Sequence, residues 1–174
     1  MAGIIKVNQY QDFNGNSIMT SDGSGNLTTL KTNYPAFEVN GDGQTDPSIA
    51  NNTETKVTFT NEIVDTNSAY NTSDGKFTPQ VAGKYYCYAR ITYNKSGDFD
   101  EIACTLKKNG TTFASNTGRN EFYDTLSTYG IQTFNGSSDY LELYTKHQAG
   151  GASDIHSSNQ NGAYCVFGAY RIGA

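Results

Sequence analysis

The segment from Asn71 to Tyr93, NTSDGKFTPQVAGKYYCYARITY, is the most strongly patterned part of the chain. It contains a turn at residues 73–75, a short strand that ends at Pro79, a second turn at residues 82–83 and a long aromatic strand. Turns need Gly, Asp and Ser for backbone reasons, whereas alternating aromatic residues are typical of a strand. The segment therefore predicts a β-hairpin.

The two faces of this long strand have different chemistry. One face suits a core, because its side chains are small or apolar: Tyr85, Cys87, Ala89, Ile91 and Tyr93. The other face carries Tyr86, Tyr88, Arg90 and Thr92. It is too aromatic for open solvent, so we expect something to cover it.

The last predicted strand, residues 163–172, is apolar on both faces. Cys165, Phe167 and Ala169 alternate with Val166, Gly168, Tyr170 and Ile172. A two-layer sandwich covers only one face of a strand, so either the N-terminal arm or another subunit covers the second. Because this strand and the tyrosines of residues 84–93 would form a broad patch, we favour subunit packing around a symmetry axis.

The composition of the 174 residues is that of an all-β protein. Tryptophan is absent, and the apolar residues are mainly Tyr, Phe, Ile and Val set among Thr, Asn, Ser and Gly. The length fits one domain, residues 34–174, plus an arm, residues 1–33. We predict ten strands in two five-stranded sheets: residues 36–40, 55–60, 63–65, 76–78, 84–93, 102–107, 112–115, 126–134, 140–146 and 163–172.

The net charge of −5 and the isoelectric point near 4.9 argue against a nucleic-acid partner, since no element concentrates basic residues. The first residues contain no apolar run long enough for a signal peptide or a membrane span. We therefore expect synthesis in a cytosol and no membrane partner. The three cysteines Cys87, Cys104 and Cys165 form no metal-type pair, and we expect reduced core thiols.

The arm is polar and rich in turns. Residues 4–7 and 17–20 could each form a short strand if a partner offered an edge. A segment that cannot bury itself needs a partner to order it, which favours an assembly over a free monomer. The apolar side chains with which the arm would attach are Ile4, Ile5, Val7, Ile18 and Met19.

The sequence supplies few groups for catalysis, and we expect no enzyme. His147 and His156 are the two histidines, and both are interpreted as solvated loop residues, because no carboxylate or nucleophile lies at a recognisable spacing. Cys104 lies close to two lysines but on a strand, which favours an inert thiol. The acidic residues are too scattered to form a hydrolase pair.

One loop, residues 40–46, places oxygen-bearing side chains at alternate positions, as a calcium site would. Asp98, Asp100 and Glu101 form a second acidic loop. Residues 40–46 lack the glycine and the distal glutamate of an EF-hand, and turn chemistry explains their Asn, Gly and Asp. We therefore favour a protein without a cofactor or a metal over one that binds Ca²⁺.

Five motifs resemble those of the complement C1q and tumour necrosis factor-like jelly roll, in that family's order: residues 74–79 (DGKFTP), 81–86 (VAGKYY), 106–110 (LKKNG), 139–143 (DYLEL) and 167–170 (FGAY). The resemblance covers residues 34–174. It implies a ten-strand, two-sheet jelly roll that forms a homotrimer through its inner sheet. The expected trimer contacts are Tyr86, Tyr88, Arg90, Tyr129, Val166, Gly168 and Tyr170.

The arm is similar to the N-terminal segments of tailed-phage virion proteins, of the marine or cyanobacterial type, that carry this domain. This similarity implies a virion structural protein: a capsid decoration or cement protein whose partner is the major capsid protein or another virion protein. The alternative is the receptor-binding tip of a phage fibre or spike that holds a host glycan or protein. Its apical loops would use Asp98, Phe99, Asp100, Asn120, Tyr123 and His156.

Overall fold

The structure is a computed structural model that describes residues 9–28, 34–94, 99–120, 125–159 and 162–174. The chain divides into two compact units, Met1–Asn33 and Tyr34–Ala174. All regular elements in the described ranges are β-strands, so none of those residues form a helix that could cross a membrane. The all-β prediction is therefore confirmed.

The strands are numbered in chain order. The first unit contains β1 (Gln9–Gln11), β2 (Ser17–Ser21) and β3 (Leu27–Thr28). The second unit begins with β4 (Ala36–Asn40), β5 (Ser48–Ile49), β6 (Thr55–Val57), β7 (Asn61–Asp65), β8 (Tyr70–Asn71) and β9 (Lys76–Phe77). It continues with β10 (Gly83–Asn94), β11 (Phe99–Lys108), β12 (Thr111–Asn120), β13 (Thr125–Phe134) and β14 (Leu141–Gln148). It ends with β15 (Ser153–Ile155), β16 (Ser158–Asn159), β17 (Gly162–Ala163) and β18 (Val166–Gly173).

The second unit contains two large antiparallel sheets, of seven and six strands instead of the five predicted for each, because short strands extend both, and a two-stranded sheet of β16 and β17. In the seven-stranded sheet, β10 lies between β13 and β18, the order continues through β4 to β7, and β15 and β5 extend one end. The six-stranded sheet has the order β12-β11-β14-β9-β8, and β6 also pairs with β14. The ten predicted strands are all present, and five further strands, β5, β8, β15, β16 and β17, have only two or three residues each. Such short strands carry too little alternation for a sequence pattern to reveal them.

The core lies between the two sheets. Phe37 of β4 stacks on Phe77 of β9 at a ring distance of 4.0 Å and meets Phe167 of β18 edge-on at 5.0 Å. Tyr85 and Phe134 pack edge-to-face at 5.5 Å. Each buried aromatic side chain contributes roughly 2–3 kcal/mol through the hydrophobic effect. The predicted core faces of β10 and β18 are confirmed, since Tyr85, Cys87, Ala89, Ile91, Tyr93, Cys165, Phe167 and Ala169 are at most 2% exposed.

The segment 71–93 forms a hairpin only in its first half. β8 and β9 pair around a turn in which Gly75 has a φ of 69°, a backbone angle that favours glycine. The second turn does not close a hairpin, because β9 belongs to the six-stranded sheet and β10 to the seven-stranded sheet. Pro79 lacks an N–H group and cannot extend the pairing, so residues 78–82 carry the chain from one sheet to the other.

The first unit is a three-stranded antiparallel meander with the order β1-β2-β3. Among its described residues, Tyr10, Phe13 and Ile18 are large apolar side chains with relative exposures of 49%, 105% and 52%. A sheet of three short strands has too few side chains to form a core of its own.

Candidate functional site: an aromatic sheet face

The outer face of the seven-stranded sheet carries a continuous aromatic patch, which we call the tyrosine face. It consists of Tyr86, Tyr88, Tyr129, Ile131, Tyr170 and Ile172. Strand register brings them together, because Tyr86 lies opposite Ile131 of β13 and Tyr170 of β18. The ring of Tyr86 is 5.4 Å from that of Tyr170 and 6.1 Å from that of Tyr129.

This face is exposed to an unusual degree for large apolar side chains. Tyr129 is 68% exposed and Ile131 59%, while Tyr170 and Ile172 are 45% and 44% exposed. A monomeric domain rarely presents so many neighbouring apolar groups to water, and a contiguous patch of this kind marks an interaction surface. The predicted contact residues Tyr86, Tyr88, Arg90, Tyr129, Val166, Gly168 and Tyr170 all lie on this side of the sheet by strand register.

Tyr88 and Glu38 form a polar contact within this apolar surface. The Tyr88 hydroxyl donates a hydrogen bond of 2.5 Å to the Glu38 carboxylate of β4. The ring reaches Glu38 by crossing Gly168, where a Cβ atom would lie only 2.5 Å from the Tyr88 oxygen. Burial and the contact with the Glu38 carboxylate raise the pKa of Tyr88, so the phenol stays protonated and holds the carboxylate in place.

A groove of about 350 Å³ runs along the tyrosine face. Its walls are formed by Tyr86, Tyr88, Tyr129 and Val166, and Arg90 lies at its edge. Arg90 is not free, since its Nε donates a hydrogen bond of 2.8 Å to the Tyr164 carbonyl oxygen. The groove therefore offers apolar walls and little unsatisfied charge.

The outer face of the six-stranded sheet, which we call the ion-paired face, has the opposite chemistry. Its side chains are Lys56, Glu101, Lys107, Tyr144 and Lys146, which are partly exposed, and Glu142, which is buried. Lys56 pairs with Glu142 at 3.4 Å and Lys146 with Glu101 at 3.1 Å. The Lys107 ammonium group lies 4.2 Å from the ring centre of Tyr144 and 2.6 Å from the Glu54 carboxylate. These pairs suit a solvated surface.

His156 lies where the loop before β5 meets the segment between β15 and β18. Its Nδ1 is 3.4 Å from Asp46 Oδ2, and its ring stacks on Tyr164 with 4.6 Å between ring centres. Asp46 also accepts hydrogen bonds from the backbone N–H and the hydroxyl of Ser157. Partial burial raises the pKa of Asp46, but the hydrogen bonds from Ser157 and His156 outweigh this effect and keep the pKa below its ordinary value. His156 thus helps to fix a loop.

Of the other residues assigned to apical loops, Phe99 of β11 lies opposite Asn120 of β12 in the strand register, and Asp100 follows Phe99 in β11. Phe99 is buried in β11, at 4% exposure, and its ring packs against Tyr93 and His147. A bulge between residues 99 and 102 breaks the strand alternation, which explains why the sequence pattern misplaced it. Asp100 is exposed in β11, and Asn120 is the last residue of β12. Asp98 and Tyr123 lie outside the described residues.

The interpretation of His147 as a solvated loop residue is wrong. His147 lies in β14 with no exposed surface, and its Nε2 contacts the Ile49 carbonyl oxygen at 2.8 Å. Its side chain follows the core-facing alternation of Leu141, Leu143 and Thr145 in the same strand. Extension of the strand pattern by two residues would have identified it as a core residue.

The three cysteines are buried free thiols, as the sequence analysis expected. Burial raises the pKa of Cys87, Cys104 and Cys165 to about 12 each. The reactive form of cysteine is the thiolate, so none of these groups is a nucleophile at neutral pH.

The oxygens of the loop at residues 40–46 turn towards the protein itself. Asn40 Oδ1 accepts hydrogen bonds from Asp42 N and Asn61 Nδ2, and Gln44 contacts Thr58 and Thr60. Within the described ranges, no three His, Cys, Asp or Glu side chains are grouped so that they could hold a metal ion. The hydrogen bonds of Asn40 and Gln44 hold this loop against the neighbouring residues of the domain.

The first unit contains a repeat that the sequence analysis missed. Asp12 Oδ1 accepts hydrogen bonds from Asn14 N and Asn16 N, and Asp22 Oδ1 accepts them from the equivalent Ser24 N and Asn26 N. Both turns also have the second carboxylate oxygen bonded to the side-chain amide of the last residue. The sequence signal is the spacing Asp-x-Asn/Ser-Gly-Asn at residues 12–16 and 22–26.

Of the residues assigned to attachment, Ile18 and Met19 lie in β2, the central strand of this meander. Ile18 is more than half exposed, and Met19 is partly buried opposite Tyr10 of β1. Ile4, Ile5 and Val7 lie outside the described residues.

Comparison with known proteins agrees with this architecture. The sequence profile of the C1q domain matches residues 36–164. The globular domain of zebrafish complement 1qA shares 21% identity with a TM-score of 0.54, over 79% of this chain and 97% of that one. Murine APRIL at pH 8.0 shares 10% identity with a TM-score of 0.58, over 80% of this chain and 99% of that one.

No curated protein sequence matches this chain. At these identities the two solved structures establish the fold alone, whereas the domain profile covers well over half of the chain. Its agreement with the two-sheet architecture makes this chain a member of the C1q domain family.

Proposed function

We propose that this chain forms a homotrimer through the tyrosine face and serves as a structural protein of a tailed-phage virion. In this proposal the trimer is a capsid decoration or cement protein, and the first unit, residues 1–33, attaches it to the major capsid protein or to another virion protein. The proposal assigns the protein no catalytic step.

The tyrosine face is the observation that carries the trimer. A specific protein interface buries on the order of 800 Å² from each partner, and its centre is apolar and aromatic. Tyr86, Tyr129 and Tyr170 lie side by side in the middle of one sheet, with Ile131 and Ile172 beside them. A closed ring of three copies would cover this surface on every subunit and leave none exposed.

The exposed apolar side chains of the first unit support an attachment role. It is a compact unit separate from residues 34–174, and Tyr10, Phe13 and Ile18 are largely exposed in it. Surface of this kind gains stability when a partner covers it. The similarity of this segment to phage virion proteins indicates which kind of partner to test first.

The trimer is tested by the mass of the full chain in solution, measured by light scattering during gel filtration. We expect three times the chain mass at micromolar concentration. A monomer at that concentration would contradict the proposal at its first step, because the tyrosine face would then be stable in water.

The virion role is tested by labelling intact particles with an antibody raised against residues 34–174. We expect label distributed over the capsid, and we expect a chain without residues 1–33 to remain trimeric but to leave the particle. Label confined to the tail would instead support a receptor-binding tip. Particles without label, from a phage that encodes this chain, would contradict both roles.

A further inference from the structure

Asparagine followed by glycine is the dipeptide most prone to lose its side-chain amide. The backbone nitrogen of the glycine attacks Cγ of the asparagine, the bond from Cγ to Nδ2 breaks, and ammonia leaves. Water then opens the resulting cyclic imide to aspartate or isoaspartate. Because glycine has no Cβ, its backbone reaches the required geometry with little steric resistance. The chain contains five such pairs, which begin at Asn14, Asn40, Asn109, Asn135 and Asn161.

Three of these asparagines are held in the second unit. Asn109 Nδ2 donates a hydrogen bond of 2.7 Å to Asp139, and its Oδ1 accepts one of 2.9 Å from Tyr140 N. Asn135 Oδ1 accepts from three backbone N–H groups at 3.0–3.1 Å, those of Ser137, Ser138 and Asp139. Each contact must break before the side chain can rotate towards the backbone of the next residue.

Asn40 is held in the same way. Its Oδ1 accepts hydrogen bonds from Asp42 N and Asn61 Nδ2, and the N–H of Gly41 contacts the Cys165 carbonyl oxygen at 3.4 Å. A Cβ atom at Gly41 would lie 2.3 Å from the Ser157 side chain, so the backbone there is tightly packed. Asn161 lies outside the described residues.

Asn14 is different in each of these respects. It is exposed at the tip of the β1–β2 turn, and its side chain makes no hydrogen bond to any residue that the structure describes. No atom lies within 4 Å of the Cβ position of Gly15. The N–H of Gly15 donates to the Asp12 carbonyl oxygen at 3.0 Å, but this bond belongs to an exposed turn of a three-stranded meander, where local opening costs little free energy.

We propose that Asn14 is a site of spontaneous deamidation in the native protein, and that the structure protects Asn40, Asn109 and Asn135 from the same reaction. The product adds a negative charge beside Asp12. Isoaspartate also adds a methylene group to the main chain at the turn where Asp12 binds Asn14 N and Asn16 N. The reaction therefore weakens the β1–β2 turn and leaves residues 34–174 unchanged.

The test incubates the full chain at mildly alkaline pH and follows each Asn-Gly pair by peptide mass spectrometry, with fragment ions to locate the modified residue. We expect Asn14 to react about tenfold or more faster than the three protected residues, because opening their contacts costs more than about 1.4 kcal/mol. In concentrated urea the rates should converge, since the dipeptides are then equivalent. A native rate at Asn14 no greater than at Asn109 would overturn the proposal.

The chain itself supplies a matched control. Ser24 occupies the position of Asn14 in the twin turn and makes the same backbone bond to its aspartate. Asn14→Ser should therefore preserve the turn and abolish the reaction at residue 14. If the Asn14→Ser variant still gained negative charge and isoaspartate in the peptide of residues 7–31 at the rate of the unchanged chain, another residue of the arm would be the reactive one and the proposal would be wrong.

Discussion

The two outer faces of the domain show how one fold presents two kinds of surface. On the tyrosine face, three neighbouring strands place Tyr86, Tyr129 and Tyr170 side by side. On the ion-paired face, the equivalent positions hold charged side chains in pairs such as Lys56 with Glu142. Both faces belong to strands whose other side forms the same core, so the difference does not arise from folding. The aromatic face suits the proposed contact between subunits, whereas the ion-paired face suits contact with water.

The largest expected effect follows from a charge placed in the tyrosine face. Val166→Asp or Tyr88→Glu should convert the proposed trimer to monomers or insoluble protein, because each places a carboxylate in a surface that the trimer would bury, and burying a charge costs several kcal/mol in each subunit. The matched control is Tyr144→Glu on the ion-paired face, where Lys107 lies beside the new carboxylate. Light scattering measures the mass of each variant. An unchanged mass for Val166→Asp would remove the tyrosine face from the interface.

A smaller effect is expected where Tyr88 crosses Gly168. In Gly168→Ala the new methyl group would meet the Tyr88 ring and the Phe37 carbonyl oxygen, so Tyr88 must leave Glu38. We expect a loss of about 2–3 kcal/mol in the free energy of unfolding. Gly151→Ala is the control, because no atom lies within 4 Å of its Cβ position. Urea unfolding measures both, and equal stabilities would show that Tyr88 moves without cost.

On the ion-paired face, the two main pairs should differ in importance. Lys56→Met leaves Glu142, which is 4% exposed, without its cation, and we expect a loss of about 1 kcal/mol. Lys146→Met should change stability by less than about 0.5 kcal/mol, because Glu101 is exposed to solvent. The measurement is urea unfolding. A larger effect for Lys146→Met would mean that burial does not decide which pair matters.

The smallest effect is expected from salt. Raising the ionic strength should lower the free energy of unfolding by only a few tenths of a kcal/mol, because salt screens the exposed ion pairs of the ion-paired face. The proposed trimer should keep its mass under the same conditions, because apolar association does not depend on charge. Light scattering across a salt series measures the mass of the trimer. Urea unfolding of the Val166→Asp variant, if it is a monomer, measures the change in stability over the same salt series. Dissociation of the trimer by salt would show that charges hold it.

Much of the fold was predictable because each strand carries its own alternation. Residues 85–91 and 165–169 alternate between core and outer side chains, and both core faces are confirmed. Phe99 was misplaced because a bulge shifts the alternation in β11, and His147 because its strand ends two residues later than predicted. The repeat in the arm is present in the sequence at residues 12–16 and 22–26. The hydrogen bonds of Asp12 and Asp22 show that both copies form the same type of turn.

The sequence by itself determined the strand content, the core faces and the family, because these depend on side-chain alternation and on turn residues that are neighbours in the chain. Only the tertiary structure decided which strands pair and which surfaces result. It separated β9 from β10 into different sheets and brought Tyr129, which is far from Tyr86 in sequence, beside it. It also distinguished Asn14 from Asn109, which share the same dipeptide. Register and long-range contacts are properties of the packed sheets, and no local pattern contains them.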